Sequence, residues 1–245
     1  MDNINASSVE AVAQLAEQKV KVERYGDIDY IITAKGASPI FHDPRPGVIE
    51  VDNLDALCSY FQYDPEELIK KHGAIVIIHG YDCVSLSTGI YGPEGVRTRL
   101  IRAQSKTECF DFTFSRDLES IIIGLQSCFV RTDQTQELID FLSLVSIDNG
   151  ASFQDNGISQ SVTVRNKTTG KKKWANAPGS LELTPFRTFL ELDQPESLFV
   201  FRLQQHGGEV KVTLHGADGG AWKLEAVKRI RKYLKKQLPE DVMIL

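Results

Sequence analysis

Residues 198–238 limit the fold more than any other stretch. Leu198, Phe199, Val200 and Phe201 begin an apolar run that reaches Leu203, the composition of a strand. Gln205, His206, Gly207 and Gly208 then supply a turn, and Val210, Val212 and Leu214 alternate with Glu209, Lys211 and Thr213 at the strand period of two. This predicts a β-hairpin. A corner, His215-Gly216-Ala217-Asp218-Gly219-Gly220, leads into residues 221–238. There Val227, Ile230, Leu234 and Leu238 recur at helical spacing beside Trp222 and Tyr233.

That helix carries Lys223, Lys228, Arg229, Arg231, Lys232, Lys235 and Lys236 against Glu225 alone, a sum of +6. The whole chain has a net charge of −5, so the remainder totals −11. An acidic body with one basic helix is a polarised molecule. It suits an anionic partner such as nucleic acid, or the acidic surface of a second copy. Lysines near a helix C-terminus also complement the macrodipole, and Lys/Arg heads commonly line a solvated face.

With 245 residues, 42% hydrophobic and 25% charged, the chain has ordinary globular composition, which excludes wholesale disorder. The longest apolar run, 74–79, falls far short of the roughly 20 residues needed to cross a bilayer. The polar, acidic start shows no secretory pattern, so a cytoplasmic setting without a membrane partner is expected. Cys58, Cys83, Cys109 and Cys128 lie 25, 26 and 19 residues apart, spacings of neither a zinc site nor a redox motif, and are expected as reduced, buried thiols.

From the N-terminus, Ser7 and Glu10 form a capping box before a helix expected over 8–19. Residues 20–33 read as strand broken at Gly26, 36–47 as a proline-bearing surface loop, and 48–51 as a strand. Asp52 or Asn53 caps a helix with Leu54, Leu57, Cys58 and Phe61 on one face, and Pro65 opens another helical turn. Runs at 74–79, 83–88 and 96–103 predict an antiparallel meander. Ser115 or Asp117 opens a helix with Leu118, Ile121, Ile122, Leu125 and Phe129 on one face, widened by Ile123 and Cys128 and so covered on most sides. Leu138, Phe141, Leu142 and Val145 mark its antiparallel neighbour. Asn149-Gly150 and Asn156-Gly157 are tight-turn signals in a β-rich region that includes a long strand at 181–192.

The fold class is therefore α+β: antiparallel β-meanders, a central helical pair, and a C-terminal hairpin followed by a long basic amphipathic helix. A division between an α/β part (1–146) and a β-rich part (147–245) is expected, or one continuous domain, since no linker composition marks the boundary.

Two local patterns could carry chemistry. Gly219 and Gly220 precede a helix whose first turn holds Trp222 and Lys223, an arrangement suited to phosphate. The same residues could instead make a tight connection capped by Asp218, with Trp222 in the core. His79, Asp82 and Cys83 place three reactive side chains at one turn, but nucleophilic activation depends on geometry. Arg187 and Arg202, in apolar surroundings, each require a carboxylate or ligand. No residue pattern calls for a metal or cofactor.

Four stretches, 155–160 (Asp-Asn-Gly-Ile-Ser-Gln), 185–189 (Pro-Phe-Arg-Thr-Phe), 194–202 (Gln-Pro-Glu-Ser followed by Phe199-Val200-Phe201-Arg202) and 217–222 (Ala-Asp-Gly-Gly-Ala-Trp), together resemble the YfdQ-like proteins, an uncharacterised family common in bacteriophages and prophages. The resemblance covers the C-terminal part closely and the N-terminal part loosely. It implies a phage-encoded accessory protein in the host bacterial cytosol and no particular reaction. The expected function is non-enzymatic and homo-oligomeric. The protein would bind a nucleotide, a nucleic acid or a host protein during infection, in counter-defence or nucleic-acid metabolism. Its ligand residues would be Arg187, Arg202, Asp218, Gly219, Gly220, Trp222 and Lys223. The alternatives are an enzyme acting on nucleotide or nucleic acid, through some of these residues or the His79/Asp82/Cys83 turn, and a self-assembling ring or shell.

Overall fold

The computed structural model describes residues 21–26, 28–33, 36–40, 46–92, 95–107, 110–147, 152–155, 160–165, 172–177, 179–206 and 209–245. The helix expected over 8–19 and both Asn-Gly turns lie outside them. The architecture is α+β, with antiparallel sheets and helices.

Strands β1 (Lys21–Tyr25), β2 (Ile28–Thr33) and β3 (Gly36–Ile40) form an antiparallel meander. The third strand takes residues 36–40 of the loop expected over 36–47. Pro39 is tolerated there because β3 is an edge strand, where a missing N–H breaks no inner ladder. β4 (Ile49–Val51) leads to α1 (Leu54–Tyr63), whose N-cap is Asn53, its Oδ1 accepting from Ala56 N at 2.7 Å. The next helix, α2 (Leu68–His72), starts later than Pro65 suggests. Asp64 first ends α1 in a left-handed conformation, then its carboxylate accepts from Ile69 N and Lys70 N.

β5 (Ala74–Ile78), β6 (Cys83–Thr88) and β7 (Arg99–Gln104) form the expected meander. At its edges β4, the strand expected at 48–51, runs parallel to β7, and β15 (Met243–Ile244), which the sequence did not announce, runs parallel to β5. A strand of two residues is too short to show a periodicity.

β8 (Arg116–Asp117) precedes α3 (Leu118–Cys128), which Asp117 caps by accepting from Ser120 N at 2.8 Å. α4 (Asp133–Ile147) packs on α3. Ile123 is 56% exposed, so α3 has a solvent side and is not covered on most sides. Phe129 ends that helix in extended backbone and bridges to Pro185. Two further antiparallel groups follow. One is β9 (Ser152–Asp155), β10 (Gln160–Arg165) and β11 (Lys172–Ala177). The other has the order β12 (Ser180–Leu183), β13 (Ser197–His206), β14 (Glu209–Gly216), β8. The strand expected over 181–192 thus stops at Leu183, and residues 184–196 are irregular.

Two hydrophobic clusters result. α3, α4 and the inner face of β12–β14 share one, where Phe199, Phe201, Val212 and Leu214 are buried. α1, β5–β7, Phe189, Leu192 and the stripe Ile230–Leu234–Leu238 share the other. That stripe belongs to α5 (Ala221–Gln237), which leaves the sheet of the first cluster and packs on the second. Neither cluster is divided at residue 147: residues 110–145 pack with 181–214, and residues 54–103 pack with 189–238.

Two glycines are required for close approach. A Cβ on Gly89 would lie 2.1 Å from the His72 carbonyl oxygen, and one on Gly124 would lie 2.5 Å from the Phe110 ring. Gly124→Ala should cost about 1–3 kcal/mol, the usual range for overpacking, since a ring can shift. Gly89→Ala should cost more, because its neighbour is backbone. Urea denaturation of the two variants checks the order.

Candidate functional site

The corner after β14 is built from its own backbone. The Ala217 N–H donates to the Leu198 carbonyl at 2.8 Å, and Gly219 and Gly220 take φ of 61° and 84°, conformations that favour glycine. The Asp218 carboxylate accepts from Gly220 N at 3.0 Å and from Trp222 N at 3.2 Å. The Asp218 carbonyl takes Ala221 N, and the Gly220 carbonyl takes Lys223 N. The amides that would cradle a phosphate at the start of α5 are therefore already satisfied by the corner itself. Of the two sequence readings, the capped connection is the one this geometry matches.

Five of the expected ligand residues do converge with Arg187, but as an internal weld. The Arg187 guanidinium stacks over the Trp222 indole at 3.9 Å and lies 5.7 Å from the Phe199 ring. It also donates to the Pro195 carbonyl at 3.3 Å and to the Ser197 hydroxyl. Burial raises the Asp218 pKa, but the Gly220 and Trp222 N–H groups, the Ser197 hydroxyl and the Arg187 charge outweigh it and hold the carboxyl below its ordinary 3.8. Tyr81 meets Trp222 edge-on at 4.7 Å, and the Lys223 ammonium sits 5.5 Å from the Tyr81 ring. Arg202 does not join them. It lies on β13 opposite Thr213, about 10 Å along the strand from Phe199. Its side of β13 is opposite the one that buries Phe201 and Leu203.

A pocket of about 420 Å³ opens beside this weld, lined by Glu182, Glu196, Asp218 and Glu225 against Lys228, with Leu198, Trp222 and Leu224 as its apolar part. Its charge is wrong for phosphate.

A second groove, of about 530 Å³, runs between α5 and residues 191–193. Lys228, Lys232 and Lys236 line it, spaced four residues apart, so their stems recur every ~6 Å along one helix side. All three are exposed, and among the described residues none has an ion-pair partner. Arg229, in the same groove, is committed to the fold. It donates to the Asp193 and Gln194 carbonyls at 2.9 Å each and pairs with Glu225 at 3.0 Å.

The opposite wall is held by Gln194, 6% exposed. Its Oε1 accepts from Arg187 N and Thr188 N, and its Nε2 donates to the Phe189 and Leu192 carbonyls. Glu191 accepts from Leu54 N and Asp55 N at the start of α1, and Tyr233 donates to Asp55. Sequence reasoning found the basic helix but not this wall. The four-residue lysine spacing was a visible signal; the loop that faces it had none.

The turn at 79–83 does not assemble as a nucleophile and base. His79 Nε2 and the Ser85 hydroxyl share a hydrogen bond of 2.7 Å, while the Cys83 thiol accepts from Arg102 Nε at 3.2 Å. Ser85 is fully buried. Burial, then the Arg99 and Arg102 charges, lower the His79 pKa. Burial pushes the Cys58 thiol up to about 11, with Asp55 and Glu191 adding to it. Among the described residues no three His, Cys, Asp or Glu side chains converge as a metal site, and no helix is long and apolar enough to cross a membrane.

Fold and site thus define an α+β protein with a self-capped glycine corner and a basic, groove-forming C-terminal helix. The chain matches no family model, no curated protein and no solved structure.

Replacing Gln194 by leucine would strand the Arg187 and Thr188 N–H groups and the Leu192 carbonyl, at on the order of 1–3 kcal/mol for each group left unsatisfied, while the Phe189 carbonyl keeps the Leu192 N–H. The variant should be among the least stable single substitutions, as read by thermal unfolding. Asp218→Ala should cost about 1–2 kcal/mol through the lost cap. Because the folded pKa of Asp218 is depressed, its contribution is complete above the ordinary value and is lost as pH falls through the lower folded value. Asp218→Asn should remove that acid-side loss, measurable as a flatter stability profile below pH 4.

Proposed function

We propose that this chain is a non-enzymatic accessory protein that binds nucleic acid along the lysine side of α5. The carrying observation is the uncommitted row Lys228, Lys232 and Lys236 beside an arginine already spent on the fold. Evenly spaced ammonium groups on a rigid helix suit a chain of phosphates, whose neutralisation releases counterions irrespective of sequence. The acidic remainder of the molecule confines that attraction to one side. The motif resemblance supports a phage-encoded protein working in the bacterial cytosol, where nucleic acid is the abundant polyanion. The enzyme alternative rests on Asp218, Lys223, Arg187 and Arg202, or on the His79/Asp82/Cys83 turn. Of these, Asp218, Arg187, His79 and Cys83 are hydrogen-bonded within the fold, which favours the binding reading.

Self-assembly is favoured by a separate observation. The β1–β3 sheet contributes to neither hydrophobic cluster, and Val22 and Tyr25 on it are 57% and 60% exposed. Three short strands with no fully buried residue among the described ones need a packing partner, and a second copy would supply one.

Titration of a labelled single strand at several salt concentrations tests the binding reading. Three phosphate contacts predict a log–log slope of about −2. The combined Lys228→Gln, Lys232→Gln and Lys236→Gln variant should lose that slope and at least tenfold in affinity while retaining the thermal stability of the parent. Unchanged affinity would sink the proposal. The solution mass, recorded with absorbance at 260 and 280 nm, separately reports oligomer size and any co-purifying nucleic acid.

A further inference from the structure

We infer that the groove between α5 and residues 191–193 takes a single-stranded segment with one base turned inward, and that it favours bases bearing an amino group over thymine or uracil. This rests on the nucleic-acid reading above and specifies its ligand.

The groove has two chemically different sides. On α5 stand the three free lysines, which suit phosphate oxygens. Glu225 beside them is paired with Arg229; on the other wall Glu191 accepts from Leu54 N and Asp55 N, which leaves Asp193, exposed, as the wall's carboxylate unpaired among the described residues. Its main chain does not move with the side chain, because Arg229 grips the Asp193 and Gln194 carbonyls. Leu192, nearly buried, on one wall and Tyr233 on α5 supply the apolar part of the lining. The volume of about 530 Å³ falls within the range of small-ligand sites, about 300–1,000 Å³.

A ligand that satisfies both walls must be anionic along one edge and carry N–H donors on the other. A nucleotide does this. Phosphate meets lysine, and the exocyclic amino group of cytosine, adenine or guanine meets the carboxylate, which accepts only. Thymine and uracil offer one imide N–H between two carbonyl oxygens, whose lone pairs would face the Asp193 charge. A duplex is disfavoured by shape, because its bases are stacked and paired and cannot enter the groove. Unstacked bases of a single strand can.

The test compares labelled oligo-dC, oligo-dA and oligo-dT with a mixed duplex by fluorescence anisotropy, using the full chain. Oligo-dC and oligo-dA should bind about tenfold more tightly than oligo-dT, the discrimination expected of one good carboxylate–amino contact, and all should exceed the duplex. Asp193→Asn should close the gap between dC and dT without lowering stability, since an amide both donates and accepts and the Arg229 contacts use backbone. Equal affinity for dC and dT, a gap that survives Asp193→Asn, or a duplex binding as tightly as the single strands would each overturn the inference and leave the nucleic-acid reading standing. No binding to any oligonucleotide would overturn both.

Discussion

The segment 184–196 is irregular, and one buried amide makes it tenable. A stretch that joins neither helix nor sheet must find partners for its polar backbone, or pay for each one left unmade. Gln194 meets that requirement for Arg187, Thr188, Phe189 and Leu192 with one side chain. Arg229 adds the carbonyls of Asp193 and Gln194. With this loop fixed, Phe189 and Leu192 reach the cluster under α5, and Arg187 reaches Trp222. The loop therefore ties the hairpin sheet, the meander sheet and the terminal helix together.

The same loop decides how charge is used. Arg187 stabilises Asp218 and is screened by aromatic rings, so it contributes to the fold and not to an open site. Arg229, though it lines the groove, is likewise committed to the fold by the Asp193 and Gln194 carbonyls. What remains outward-facing is lysine, and a lysine head on a flexible stem suits a repeating anion better than it suits bidentate recognition of one group. Charge polarity seen in the sequence thus becomes a sorted arrangement: arginine inside the joint, lysine along the groove.

Much of the fold could be read from residue patterns. The alternation at 209–214, the apolar run at 198–203, the helical stripe at 227–238 and the meander at 74–103 are long or periodic, and each forms as expected. The Asn53 and Asp117 caps were visible because a capping side chain acts on residues two or three positions away. The errors fall where local pattern gives no vote. Residues 184–192 have strand-like composition, yet Pro185 pairs by a single bridge and the chain then turns away. The candidate ligand residues were adjacent in the fold, Arg202 excepted, but the Asp218 carboxylate and the Arg187 guanidinium turned out to bond within the joint.

The sequence by itself determined the α+β class, the main periodic elements and the concentration of positive charge on one helix, because periodicity, capping and net charge are local properties. Tertiary structure alone decided which cations remain free, which amides the glycine corner leaves available, and which loop faces the lysines. Those outcomes depend on contacts between residues far apart in the chain, such as Gln194 with Arg229, Tyr81 with Trp222, and Glu191 with Leu54. A hydrogen-bonding group has no fixed role until folding settles whether protein or solvent is its partner.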